Sequence, residues 1–110
     1  MNKVKITVLE TTFNELLAKE YGVEGLGKCP FLKEGQVFYA NYAKPNGFCD
    51  EDWKGIYQFA FALAHGVGSN GKLFYHSDWI RRPGIAIGSC NDGIRPVIFK
   101  LEATEEPSSL

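Results

Sequence analysis

The chain has 110 residues, 45% of them hydrophobic, which suits one compact domain with a core of its own. Twelve Lys and Arg against thirteen Asp and Glu leave a formal charge of -1. No electrostatic surplus points to nucleic acid, whose binding needs a clustered basic surface, and the nearest basic cluster, Arg81-Arg82, is only two residues long; the longest nearly apolar run, Ile56 to Ala64, is far too short to span a bilayer.

Residues 3–9, KVKITVL, alternate polar and apolar rather than forming an apolar signal core. Val4, Ile6 and Val8 share one face, which predicts a half-buried strand. In TTFNELLAKEYG, Thr12 can cap a short helix with Glu15 as its capping-box partner, and Gly22 is a plausible stop. A loop with one helical turn is the alternative. GVEGLGKCP is an irregular connection in which Cys29, preceding Pro30, is biased toward extended backbone. Glu34 to Tyr42, EGQVFYANY, reads as a second strand, with Phe38, Ala40 and Tyr42 opposing Val37 and Tyr39.

The clearest helix is Asp50 to His65. Asp50, Glu51 and Asp52 place negative charge at its N-terminus, where the helix dipole favours it. Trp53, Ile56, Tyr57, Ala60, Leu63 and Ala64 form an apolar stripe that Phe59 and Phe61 widen, so the helix is expected to be buried on most sides. His65 suits the negative end and Gly66 the stop. A long glycine-punctuated connection follows, GVGSNGKLFYHSDWIRRPG. IAIGSC and PVIFKLE then read as strands joined at Asn91-Asp92-Gly93, a β-hairpin signal, and TEEPSSL as a disordered tail.

The expected fold class is α+β: residues 1–103 form a single domain, and 104–110 the tail. An antiparallel sheet of about four strands packs on one long helix, with a C-terminal β-hairpin in the same sheet as the N-terminal strand. The surplus apolar surface of the helix predicts a homo-oligomer. Three cysteines, an odd count, suit a reducing compartment, so a cytoplasmic location is expected with no membrane and no nucleic-acid partner.

Several motifs compete for function. GVGSNGK, Gly66 to Lys72, matches G-x-G-x-x-G and nearly matches a phosphate loop. Such loops run from a strand into a helix; here a helix precedes the glycines, and Leu73 replaces the metal-binding hydroxyl, so the segment reads as a plain loop. His76 lies beside Ser77 and Asp78, but three adjacent residues do not make a catalytic triad.

Cys29, Cys49 and Cys90 all fall at element ends, where side chains can converge. None belongs to a C-x-x-C pair, and free cysteines are also common small core residues. Cys49 precedes a helix, which favours a thiolate, whereas the three acids after it oppose one. Asp92 and Arg95 flank the hairpin turn. They pair with one another, or Arg95 holds an anion.

Cys29-Pro30, then Gly47-Phe48-Cys49 with Trp53 and Ile56, then Cys90 with Asp92-Gly93-Ile94-Arg95-Pro96-Val97, in that order, resemble a family of short prokaryotic proteins of unknown function. The resemblance runs from Lys3 to about Glu102. It implies that Cys29, Cys49 and Cys90 belong together. The family often carries a second Cys beside Cys90; this chain has Ser89, which leaves three thiols.

Three readings follow. In the leading one, Cys29, Cys49 and Cys90 bind zinc, another soft metal or an iron–sulfur cluster, with Asp92 and Arg95 tuning the site. In the second, the protein is an oligomeric module for a small molecule or protein, without chemistry, whose pocket or interface is built from Phe48, Trp53, Tyr57, Phe74, Tyr75 and Trp79. In the third, it is a thiol enzyme with Cys49 as nucleophile.

Overall fold

The computed structural model describes residues 1–68 and 80–108. The elements run β1 (Asn2–Thr11), α1 (Glu15–Tyr21), β2 (Val37–Ala40), α2 (Asp50–Ala64), β3 (Ile85–Ser89) and β4 (Val97–Pro107). The strands form one antiparallel sheet in the order β2-β1-β4-β3. This is the expected α+β architecture, with two helices in place of one.

Alternation decides which face is buried. Val4, Ile6 and Val8 on β1, and Val97, Phe99 and Leu101 on β4, are all at most 1% exposed. The pairs Ile6–Leu101 and Val8–Phe99 lie opposite one another across the central ladder. Residues two apart on a strand share a face, so these six side chains form one apolar floor. On β4 the intervening Lys100 and Glu102 are half-buried and pair at 3.1 Å. α2 lies over the apolar floor, packed against β1, β3 and β4 through Ile56, Ala60, Leu63 and Ala64.

Two glycines bring α2 close to β3. A Cβ at Gly88 would stand 3.0 Å from Ile56 Cγ2. At the other contact, a Cβ at Gly55 would collide with the Ser89 carbonyl. The first turns of α2 therefore sit directly on the end of β3.

Several expectations change. α1 is capped by Asn14, whose Oδ1 accepts from the Leu17 amide at 2.9 Å, and not by Thr12, whose hydroxyl donates to the Pro96 carbonyl. β2 is four residues long: Gly35 turns the chain before it at φ 88°, and after it Asn41 Oδ1 accepts from the Ala43 amide at 2.7 Å. α2 buries one face, not most of its surface: Tyr57 and Phe61 remain 38% and 43% exposed. β3 and β4 are joined by residues 90–96 rather than by a tight Asn-Asp-Gly turn. Asp92 directs that loop by accepting from the amides of Ile94 and Arg95 at 2.8 and 3.2 Å. Residues 104–107, expected in a disordered tail, continue β4, held by Thr104 Oγ1 on the Lys3 carbonyl and by a Lys3–Glu106 pair at 3.0 Å.

His65 does what its position suggests. Its backbone closes the helix end and its ring stacks on Phe61 at 4.3 Å, while Gly66 takes the left-handed conformation at φ 93°. Phe74, Tyr75, His76 and Trp79, with most of the GVGSNGK loop, lie outside the described residues. Among the described residues no helix is long and apolar enough to cross a membrane.

Candidate functional site

The three cysteines come from three separate places in the chain. Cys29 lies in the loop before β2, Cys49 is the N-cap of α2, and Cys90 follows the last residue of β3. All three line one cavity of about 260 Å³, together with Phe31, Glu51, Asp52, Asn91, Asp92 and Arg95. A larger hollow of about 760 Å³, beyond the other end of α2, is lined by Leu63, Val67, Arg82 and Ile85 among others, with no thiol among its described residues.

Cys49 caps α2 through its backbone alone: its side chain makes no capping hydrogen bond and is half-buried. Cys90 is buried, its Sγ accepting the Val97 amide at 3.3 Å while its own amide donates to the Val97 carbonyl at 3.1 Å. Burial pushes the Cys90 thiol up. Asp52 nearby adds to that, and the amides of Val97 and Asp92 oppose it. Cys29 is half-buried against the core.

The three acids that open α2 have separate fates. Asp50 pairs with Lys44 at 2.7 Å and Glu51 with Lys54 at 2.9 Å. Both carboxyls are held below their ordinary values by these lysines. Asp52 instead turns inward, is only 2% exposed, and leaves Oδ2 without a hydrogen-bond partner among the described residues. Burial pushes its pKa up, and the thiols of Cys90 and Cys49 pull it back down. Asp52 is thus the one buried acid of the three, and it lines the cavity with the thiols.

Asp92 and Arg95 lie on the loop between β3 and β4 and line the same cavity. Asp92 Oδ2 accepts from Arg95 Nε at 3.2 Å. The Ile94 and Arg95 amides and the Arg95 side chain hold the Asp92 carboxyl below its ordinary value, the Ile94 amide most strongly. Phe48 is a core residue, 4% exposed, in ring contact with Phe38 at 5.0 Å and Phe99 at 5.4 Å. Trp53 and Tyr57 continue an aromatic row along α2. None of these three is among the residues lining the thiol cavity. Among the described residues no group of three or more His, Cys, Asp or Glu side chains, as placed, could hold a metal ion.

Phe31, Glu51, Asp52 and Asn91 line the cavity and are the residues that sequence reasoning missed. Asp52 had a readable signal: it lies four residues before Ile56 and eight before Ala60, on the stripe that faces the sheet. Its two acidic neighbours disguised it as a solvated helix start. Comparison of the chain with models of known protein families, with curated proteins and with solved structures finds no match.

Proposed function

We propose that this protein acts through the cysteine pocket, as a small thiol-site protein that takes a ligand bonding to sulfur, with Cys49 as the reactive thiol. The observation that carries this reading is convergence. Cys29, Cys49 and Cys90, spread over more than half the chain, line one cavity with an almost fully buried carboxyl. A core that needed only small apolar residues has no reason to bury Asp52 beside them, because an unpaired buried carboxyl oxygen costs stability. Cys49 is the sulfur best placed to react: it is half-buried at the N-cap of α2, and no capping bond occupies its side chain. The resemblance of the three cysteine segments to one prokaryotic family agrees with a shared role. Free thiols at all three positions suit a cytoplasmic setting.

Anaerobic purification followed by timed, site-resolved alkylation near neutral pH tests the proposal. Cys49 is expected to label fastest in the folded protein, with Cys90 protected. Equal, slow labelling of all three thiols would overturn it. Stoichiometric zinc, or iron with sulfide, in the same preparation would assign the pocket to a soft metal or cluster and require the thiols to swing together around it.

A second feature favours self-association. Trp53, Tyr57, Phe61 and His65 form a ladder of ring contacts along α2, with centroids 5.7, 6.0 and 4.3 Å apart. Its outward rings are the exposed ones, and a symmetric homo-oligomer would cover them. Sedimentation equilibrium checks this, a monomer at all concentrations being the contrary result.

A further inference from the structure

We propose that Cys49 and Cys90 form a redox-active dithiol that exchanges with low-molecular-weight disulfides, and that Asp52 is the proton acceptor serving the pair. The inference rests on the thiol-site reading above and specifies its chemistry.

Disulfide exchange through two protein thiols needs an accessible sulfur to attack and a sheltered one to resolve the mixed disulfide. The pocket has that asymmetry. Cys49 is half-buried at a helix N-cap, with its side chain free of any capping bond. Cys90 is buried, its sulfur held by the Val97 amide. Both line the cavity with the buried carboxyl of Asp52, which stands in the first turn of the helix that Cys49 caps. Burial disfavours the charged form of a thiol, so a base inside the protein helps a resolving cysteine to give up its proton. Asp52 Oδ2, buried and without a hydrogen-bond partner among the described residues, is such a base.

The steps balance. The Cys49 thiolate attacks one sulfur of a disulfide R–S–S–R, forming Cys49–S–S–R and releasing RS⁻, which takes up the proton that Cys49 gave to solvent. Asp52 then takes the proton of Cys90. The Cys90 thiolate attacks the Cys49 sulfur, forming the Cys49–Cys90 disulfide and releasing a second RS⁻, which is protonated from Asp52. The protein loses two electrons and two protons, and the disulfide gains both as two molecules of RSH.

The test uses bis(2-hydroxyethyl) disulfide on the reduced, folded protein, with acid quenching and peptide mapping. Wild type is expected to form the Cys49–Cys90 disulfide and release two equivalents of 2-mercaptoethanol. Cys90→Ser is expected to stop at the mixed disulfide on Cys49 with one equivalent released, and Cys49→Ser to leave Cys90 unmodified. Asp52→Asn should slow the second step by roughly a hundredfold and leave the first unchanged. A mixed disulfide on Cys49 that persists in wild type as in Cys90→Ser would overturn this inference alone. No reaction at Cys49 would overturn the thiol-site reading with it. An unaltered second step in folded Asp52→Asn would remove Asp52 from the mechanism.

Discussion

Gly55 lies directly against the carbonyl of Ser89: a Cβ added at Gly55 would collide with that oxygen. This contact sets the first turns of α2 onto the end of β3 and so brings Asp52 and Cys49 beside Cys90. Gly55→Ala should therefore cost more than a helical Gly→Ala ordinarily returns. Overpacking of about 1–3 kcal/mol outweighs a propensity gain of up to about 1 kcal/mol. Denaturant unfolding checks the stability, and faster labelling of Cys90 in the folded variant checks that the helix has moved off the strand.

Asp52→Asn probes the buried carboxyl. The Asp52 pKa in the fold is raised above its ordinary 3.8, so the native state binds the proton more tightly than the unfolded chain. Stability attributable to Asp52 is fully present below about 3.8 and falls as pH rises toward the raised value. The variant should lose that slope and match or exceed wild type at neutral pH, because a neutral amide replaces a buried carboxyl that must ionise there. Urea titrations from pH 4 to 8 measure it.

Asp92 has the opposite sign. Its pKa is lowered, chiefly by the Ile94 amide, so its contribution is present above 3.8 and is lost as pH falls through the lowered value. Asp92→Ala removes both amide contacts and the Arg95 pairing, at a cost of about 1 kcal/mol at neutral pH for a partly exposed turn cap. Asp92→Asn keeps an acceptor oxygen and should lose less. The comparison is read from urea midpoints at pH 7 and pH 3.

Much of this fold is readable from periodicity. Val4-Ile6-Val8 and Val97-Phe99-Leu101 are both period-two runs, and both form the central floor. The β3–β4 connection misled because Asn-Asp-Gly suits a tight hairpin, whereas Gly93 does not adopt a positive φ and Asp92 instead caps the amides ahead of it. The thiol pocket was half legible. That Cys29, Cys49 and Cys90 sit at element ends is visible in the chain, but their meeting depends on how α2 crosses the sheet, which the Gly55–Ser89 contact fixes.

Deleting residues 104–110 tests the end of β4. A disordered tail would be removed without cost. As a strand, it carries the Asn2–Pro107 pairing, the Thr104–Lys3 and Ser108–Met1 hydrogen bonds and the Lys3–Glu106 pair. The truncated chain should lose about 1–3 kcal/mol. It should also lose hydrogen-exchange protection at the start of β1.

The central claim, that thiols distant in sequence share one site in the folded protein, is tested most directly with phenylarsine oxide, which bonds two neighbouring thiols with loss of one water. Intact-mass spectrometry of the native, reduced protein should find one arsenic per chain, lost in Cys49→Ser and Cys90→Ser and kept in Cys29→Ser. A native protein that takes up no arsenic, and binds it only after unfolding, would contradict the account.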